Sequence, residues 1–234
     1  MKNLDAIMAK IDQEISEKEK VREGALRFSR DIIIYCRRAI QHLHRDLTPA
    51  AEEFIGQAAS LLSQMRTLTK QHQDIFFAGY VENAEQEFVE ASCLLCIMQG
   101  KDLPSPEALQ TTSSSYLMGL CDVVGELRRA ALDLMLESET KKATEYLKLM
   151  DQIYDAVMSF DYPSGLVPIK KKQDVIRSLI EKTRGELVVV SSEHRMEDRS
   201  REIHGLLENA GAKKGARKRP ATEEESDLDV DKVW

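Results

Sequence analysis

Apolar residues recur at intervals of three and four along most of the chain, and this period marks amphipathic helices rather than strands. A first long helix is predicted from about Leu4 to His44. Leu4, Ile7, Ile11 and Ile15 start its stripe, and Leu26, Ile33, Ile40 and Leu43 resume it. Thr48-Pro49 ends this helix and opens the next, since proline is tolerated in a first helical turn. Further helices are predicted at about Ala50–Gln73, Ile75–Met98, Ser114–Leu136, Lys142–Phe160 and Ile169–Val190, with a weaker one at Met196–Leu207. Only Val188 to Val190 resembles a strand, and three residues make no sheet, so the fold class is all-α, a bundle of six to seven long helices.

Glycine and proline are sparse, 11 and 6 in 234 residues, and they fall between the periodic stretches. Residues 1–210 read as one helical domain. Residues 211–234 change character: GAKKGARKRP is basic, ATEEESDLDVDK is acidic, and little apolar surface is left to bury, so this tail is expected to be disordered. Its six basic and six acidic residues cancel, and the net charge of −7 therefore belongs to the body. That charge argues mildly against a nucleic-acid ligand, since free-standing nucleic-acid-binding domains carry a broad basic face, although KKGARKR permits a nuclear address.

Charges interrupt every apolar run, so neither a signal peptide nor a membrane span is expected, and the cytoplasm is the expected compartment. Cys36, Cys93, Cys96 and Cys121 lie among apolar neighbours, as reduced buried thiols do. Cys93 and Cys96 form a CxxC, but no second ligand pair completes a zinc site.

Nucleophile elbows, phosphate loops and HExxH motifs are all missing. What remains is carboxylate spacing. QEFVEA puts Glu87 and Glu90 three residues apart on one helical face, and CDVVGELRR puts Asp122 and Glu126 four apart. Both helices are otherwise largely apolar, so as antiparallel neighbours they would bring four carboxylates together. Such a group either holds protons or binds a hard cation such as Mg²⁺, with Arg128 and Arg129 beside it as a phosphate clamp. Acidic pairs at this spacing also recur by chance among 40 acidic residues, as at Glu14/Glu17 and Glu82/Glu85.

Several segments resemble the translin family. They are FSRDIIIYCRRAIQHLHR (28–45), QEFVEA (86–91), DVVGELRR (122–129) and YDAVMSFDYP (154–163) with the Lys-rich helix after it. The resemblance covers roughly residues 20 to 190. It implies an all-α fold that assembles into a hollow octamer, either of one chain or together with a translin subunit, with RNA or single-stranded DNA inside. It also implies Mg²⁺-dependent endoribonuclease activity, with Mn²⁺ as a substitute. On that pattern Glu87, Asp122 and Glu126 are metal ligands, and Glu90 is a ligand or the group that orients the attacking water. A non-catalytic subunit that only holds nucleic acid is the alternative. The segment KQHQDIFFAGYVENAEQ departs from the family's Arg- and His-rich stretch, offering only Lys70 and His72. RNA contacts are therefore expected of Arg37, Arg38, Arg45, Arg128 and Arg129. Met8, Ile11 and Ile15, with Val175, Leu179 and Leu187, are candidates for subunit contacts.

Overall fold

The computed structural model describes residues 3–216, with side chains through Leu207. The described residues form eight helices and no strand: α1 (Leu4–Leu43), α2 (Thr48–Thr69), α3 (Gln73–Phe76), α4 (Gly79–Met98), α5 (Pro106–Leu109), α6 (Ser113–Leu136), α7 (Thr140–Met158) and α8 (Lys170–Ala216). The all-α class is as the periodicity predicts.

Three details differ from the sequence reading. The third predicted helix is broken, because Ala78 is extended and Gly79 restarts the chain as α4. The short α5, capped by the Ser105 hydroxyl, carries too few residues to show a period. The sixth and seventh predicted helices are one, since no proline or turn separates them and Val188–Val190 continues α8. Residues 217–234, most of the expected tail, lie outside the described residues.

By internal contacts the chain divides into residues 1–188 and 189–234. In the second unit, α8 exposes Val189, Met196, Ile203, Leu206 and Leu207. No described helix is long and apolar enough to cross a membrane.

Within the first unit, α1 packs on α2 and α4, α4 on α6, and α6 on α7. The direction of each helix follows from its cross-contacts. Ser29 meets Tyr80 and Arg37 meets Glu87, so α1 and α4 run the same way. Glu85 meets Thr112, and Val89 meets Gly119 further along, so α4 and α6 also run the same way. Asp122 meets Lys172 and Arg128 meets Thr183, which makes α8 parallel to α6. The return strokes are α2, where Arg66 meets Glu85 and Glu52 meets Gln99, and α7, where Val157 meets Gln173 and Asp151 meets Arg184. The expected antiparallel packing of the two carboxylate-bearing helices is thus corrected. The connector from 99 to 112 carries the chain back, so that α6 begins beside the start of α4 rather than beside its end.

Ile32, Cys36, Leu43, Leu62, Met65, Val89, Leu94, Val123, Leu127, Met150 and Ile176 form the core, each at most 2% exposed. The first stripe of α1 is not core. Leu4, Ile7, Met8, Ile11 and Ile15 are all exposed, as is Val175, whereas Leu187 is buried in its own chain.

Candidate metal and nucleic-acid site

The four carboxylates predicted from spacing come together where α4 and α6 approach. Their closeness is set by Gly119: a Cβ there would lie 2.5 Å from the carbonyl oxygen of Gln86 and 2.8 Å from the Cβ of Val89. Only a glycine permits that approach, and it falls next to Glu87 and one turn before Asp122. Phe88, Val89, Val123, Val124 and Leu127 face the core, which leaves Glu87, Glu90, Asp122 and Glu126 on the flank between the helices.

Three of the four carry a basic partner from another helix. Arg37 of α1 donates to Glu87 at 3.2 Å. His44, at the C-cap of α1 and with a side chain only 5% exposed, donates from Nε2 to Glu126 at 2.6 Å. Lys172, in the first turn of α8, donates to Asp122, both side chains being about one-third exposed or less. Arg129 stands 3.8 Å from Glu126.

Glu90 has no basic partner among the described residues. Burial, followed by the charges of Asp122, Glu87 and Glu126, pushes its carboxyl up to about 8, against a smaller downward pull from Lys172. Asp122, Glu87 and Glu126 thus lie close enough to Glu90 for their charges to act on its carboxyl. Beneath them, burial and the charges of Glu87 and Glu90 push the Cys36 thiol up, which marks it as an inert buried group. The four cysteines are free.

An all-oxygen donor set under mutual repulsion suits a hard divalent cation. As the side chains stand, however, no group of three or more His, Cys, Asp or Glu among the described residues is arranged to hold one. The donor chemistry fits such an ion. Binding requires that carboxylates turn away from Arg37, His44 or Lys172.

The predicted arginines are dispersed. Arg37 and Arg129 border the carboxylates and are more than half exposed. Arg38 is exposed and stacks over Phe54, and Arg45 is exposed just past α1. Arg128 turns away from the cluster, with Nη1 2.6 Å from Thr183 Oγ1 and both Nη atoms on the Glu186 carboxylate at 2.8 and 2.9 Å. Sequence reasoning missed His44 and Lys172, since a partner 82 or 50 residues away leaves no local signal.

Glu85 also departs from the reading of Glu82/Glu85 as an incidental pair. It is 1% exposed, takes two hydrogen bonds from Arg66 at 2.9 and 3.3 Å, and takes two more from the amide and hydroxyl of Thr112 at 3.1 and 3.0 Å. Thr112 is the N-cap of α6 and accepts from the Ser115 amide. Glu85 thereby pins the start of α6 to α4 and α2, fixing the register that places Asp122 and Glu126 opposite Glu87 and Glu90.

A parallel arrangement of long helices around a flank of four carboxylates, bordered by arginines, defines an all-α protein with an acidic site at a helix junction. The sequence profile of the translin family matches residues 20–189, and the chain belongs to that family. It is 33% identical over 175 residues to an uncharacterised protein of Methanocaldococcus jannaschii, covering 74% of this chain and 78% of that one. It is 25% identical over 213 residues to translin-associated protein X of Rattus norvegicus, covering 73% and 72%. Among solved structures, AfC3PO in complex with duplex RNA superposes with a TM-score of 0.73 at 28% identity, over 80% of this chain and 97% of that one. The fold is shared with apo-NeC3PO at a TM-score of 0.67 and 18% identity.

Proposed function

We propose that the protein is a divalent-metal-dependent endoribonuclease subunit of a translin-type assembly that encloses RNA. The observation that carries this reading is the convergence of Glu87, Glu90, Asp122 and Glu126 from α4 and α6. The likeness to a protein solved with duplex RNA supports the substrate class. Mg²⁺, or Mn²⁺ in its place, would supply charge neutralisation at the phosphodiester and a more acidic bound water.

The remaining roles belong to the chain. Glu87, Asp122 and Glu126 are the ligand candidates, each already steered by a basic neighbour. Glu90, without such a neighbour, is the carboxyl free to exchange a proton with the attacking water. Arg37 and Arg129 present exposed guanidinium groups at the rim, where they can take phosphate oxygens. Contacts of this kind are local, so a body of net charge −7 is compatible with an RNA ligand in a basic-rimmed site.

The occupied state of the carboxylates favours a second reading, a subunit that holds RNA or single-stranded DNA without cutting it. Arg37, His44 and Lys172 already occupy three of the four acidic groups. Labelled single-stranded RNA incubated with wild type and Asp122→Asn, each with Mg²⁺ and with chelator, separates the two. Cleavage that needs both Mg²⁺ and Asp122 supports the nuclease. Retention of intact RNA under every condition supports the binding module.

A further inference from the structure

The three side chains paired with the carboxylate cluster are not equivalent. Arg37 is 66% exposed and lies on the rim. His44 is a planar ring held at the C-cap of α1 and buried to 5%. Lys172 is different in kind. Its ammonium is a compact, strongly hydrated point charge on a flexible four-carbon stem, closer to a hard metal ion than a guanidinium is. It reaches Asp122 from a neighbouring helix with its side chain 27% exposed. Its charge also acts on Glu90, the carboxyl that lacks a partner.

Helix stability does not account for this placement. Lys170, Lys171 and Lys172 occupy the first turn of α8, where the positive end of the helix dipole disfavours cations. Lys170 is answered by Asp161 outside the cluster, and Lys172 by Asp122 within it.

We propose that Lys172 is a tethered cation that competes with the divalent ion for Asp122, so that the metal must displace its ammonium to complete the site. The proposal rests on the metal reading above. Lys172 is on this view a positioning residue: it holds Asp122 in place while no metal is present and sets how much free metal the site requires. A merely structural lysine makes the opposite prediction, since its loss would loosen the site and weaken metal binding.

The test uses the full chain and Mn²⁺ alone, with free Mn²⁺ read by its paramagnetic resonance signal. Lys172→Met is expected to bind Mn²⁺ about fivefold tighter than wild type, the scale of one partly exposed ion pair. Lys172→Arg, which keeps the charge, and Lys171→Met, which removes an exposed charge one residue away, should stay within about twofold of wild type. Equal or weaker binding by Lys172→Met, with binding lost in Asp122→Asn, overturns the proposal and leaves the metal site standing. An equal gain in Lys171→Met also overturns it, because a diffuse field would then suffice. No binding by any of these proteins overturns both readings.

A measurement on wild type alone covers the case of a variant that fails to fold. Reductive methylation followed by mass spectrometry should modify Lys172 faster when Mn²⁺ is added, with Lys171 unchanged. An unchanged rate at Lys172 overturns the proposal.

Discussion

A Cβ on Gly119 would stand 2.5 Å from the main-chain oxygen of Gln86, so α4 and α6 meet backbone to backbone beside the carboxylates. Gly119→Ala must push the two helices apart or shift Val89. It should cost about 2 kcal/mol, within the range for overpacking a closed interface. Urea denaturation checks this, and Mn²⁺ affinity should fall with it. By contrast, Gly125→Ala, where nothing lies within 4 Å of the added carbon, should be neutral or slightly stabilising in a helix.

The second expectation concerns pH. The folded chain keeps the Glu90 proton up to about pH 8, whereas the ordinary value is 4.5. Between those two values the folded state binds more protons than the unfolded one, so stability falls as pH rises through the window. Glu90→Gln removes that dependence. In chelator, its gain in melting temperature over wild type should be small at pH 5 and largest above pH 8. An equal gain at both ends would contradict the upward push attributed to burial and to the charges of Asp122, Glu87 and Glu126.

Loss of the Glu85 carboxylate leaves Arg66 and the Thr112 cap without their acceptor. Glu85→Ala is expected to cost about 3 kcal/mol, at the low end for a broken buried ion pair, because the Arg66 side chain keeps 25% exposure. Chemical denaturation reads the loss. Hydrogen exchange should show first-turn amides of α6, Ser115 among them, opening before the rest of that helix.

Arginines that sequence alone treats alike should separate in experiment. Arg37→Glu with Arg38→Glu is expected to weaken RNA binding and to lower the salt slope by about one to two, since each exposed guanidinium answers about one phosphate. Arg128→Ala should instead lower the melting temperature, having lost Thr183 and Glu186, and leave the salt slope unchanged. Titration of labelled RNA at several salt concentrations distinguishes them.

The long helices were legible because their periodicity is local. Ile32, Leu43, Leu62, Leu94, Leu127 and Met150 all fall on predicted helices and all reach the core. The carboxylate pairs were legible for the same reason, as three- and four-residue spacings. Helix direction was not, because the 99–112 connector is long enough to turn the chain either way, and the Glu85–Thr112 and Val89–Gly119 contacts together decide it. His44 and Lys172 stayed hidden because each acquires its meaning from a residue on another helix. The stripe Leu4, Ile7, Ile11 and Ile15 has the same spacing as a core stripe yet is exposed, since periodicity records an apolar face and not what covers it.

The parallel course of α1, α4, α6 and α8 has a consequence in time. During synthesis the first 136 residues already contain all four carboxylates, together with Arg37 and His44, while Lys172 is still to come. If α1, α2, α4 and α6 pack before α8 is made, Asp122 meets Glu90 without its Lys172 partner. The first turn of α8 then brings the ammonium that Asp122 lacks, on the same helix that buries Ile176 and Ile180.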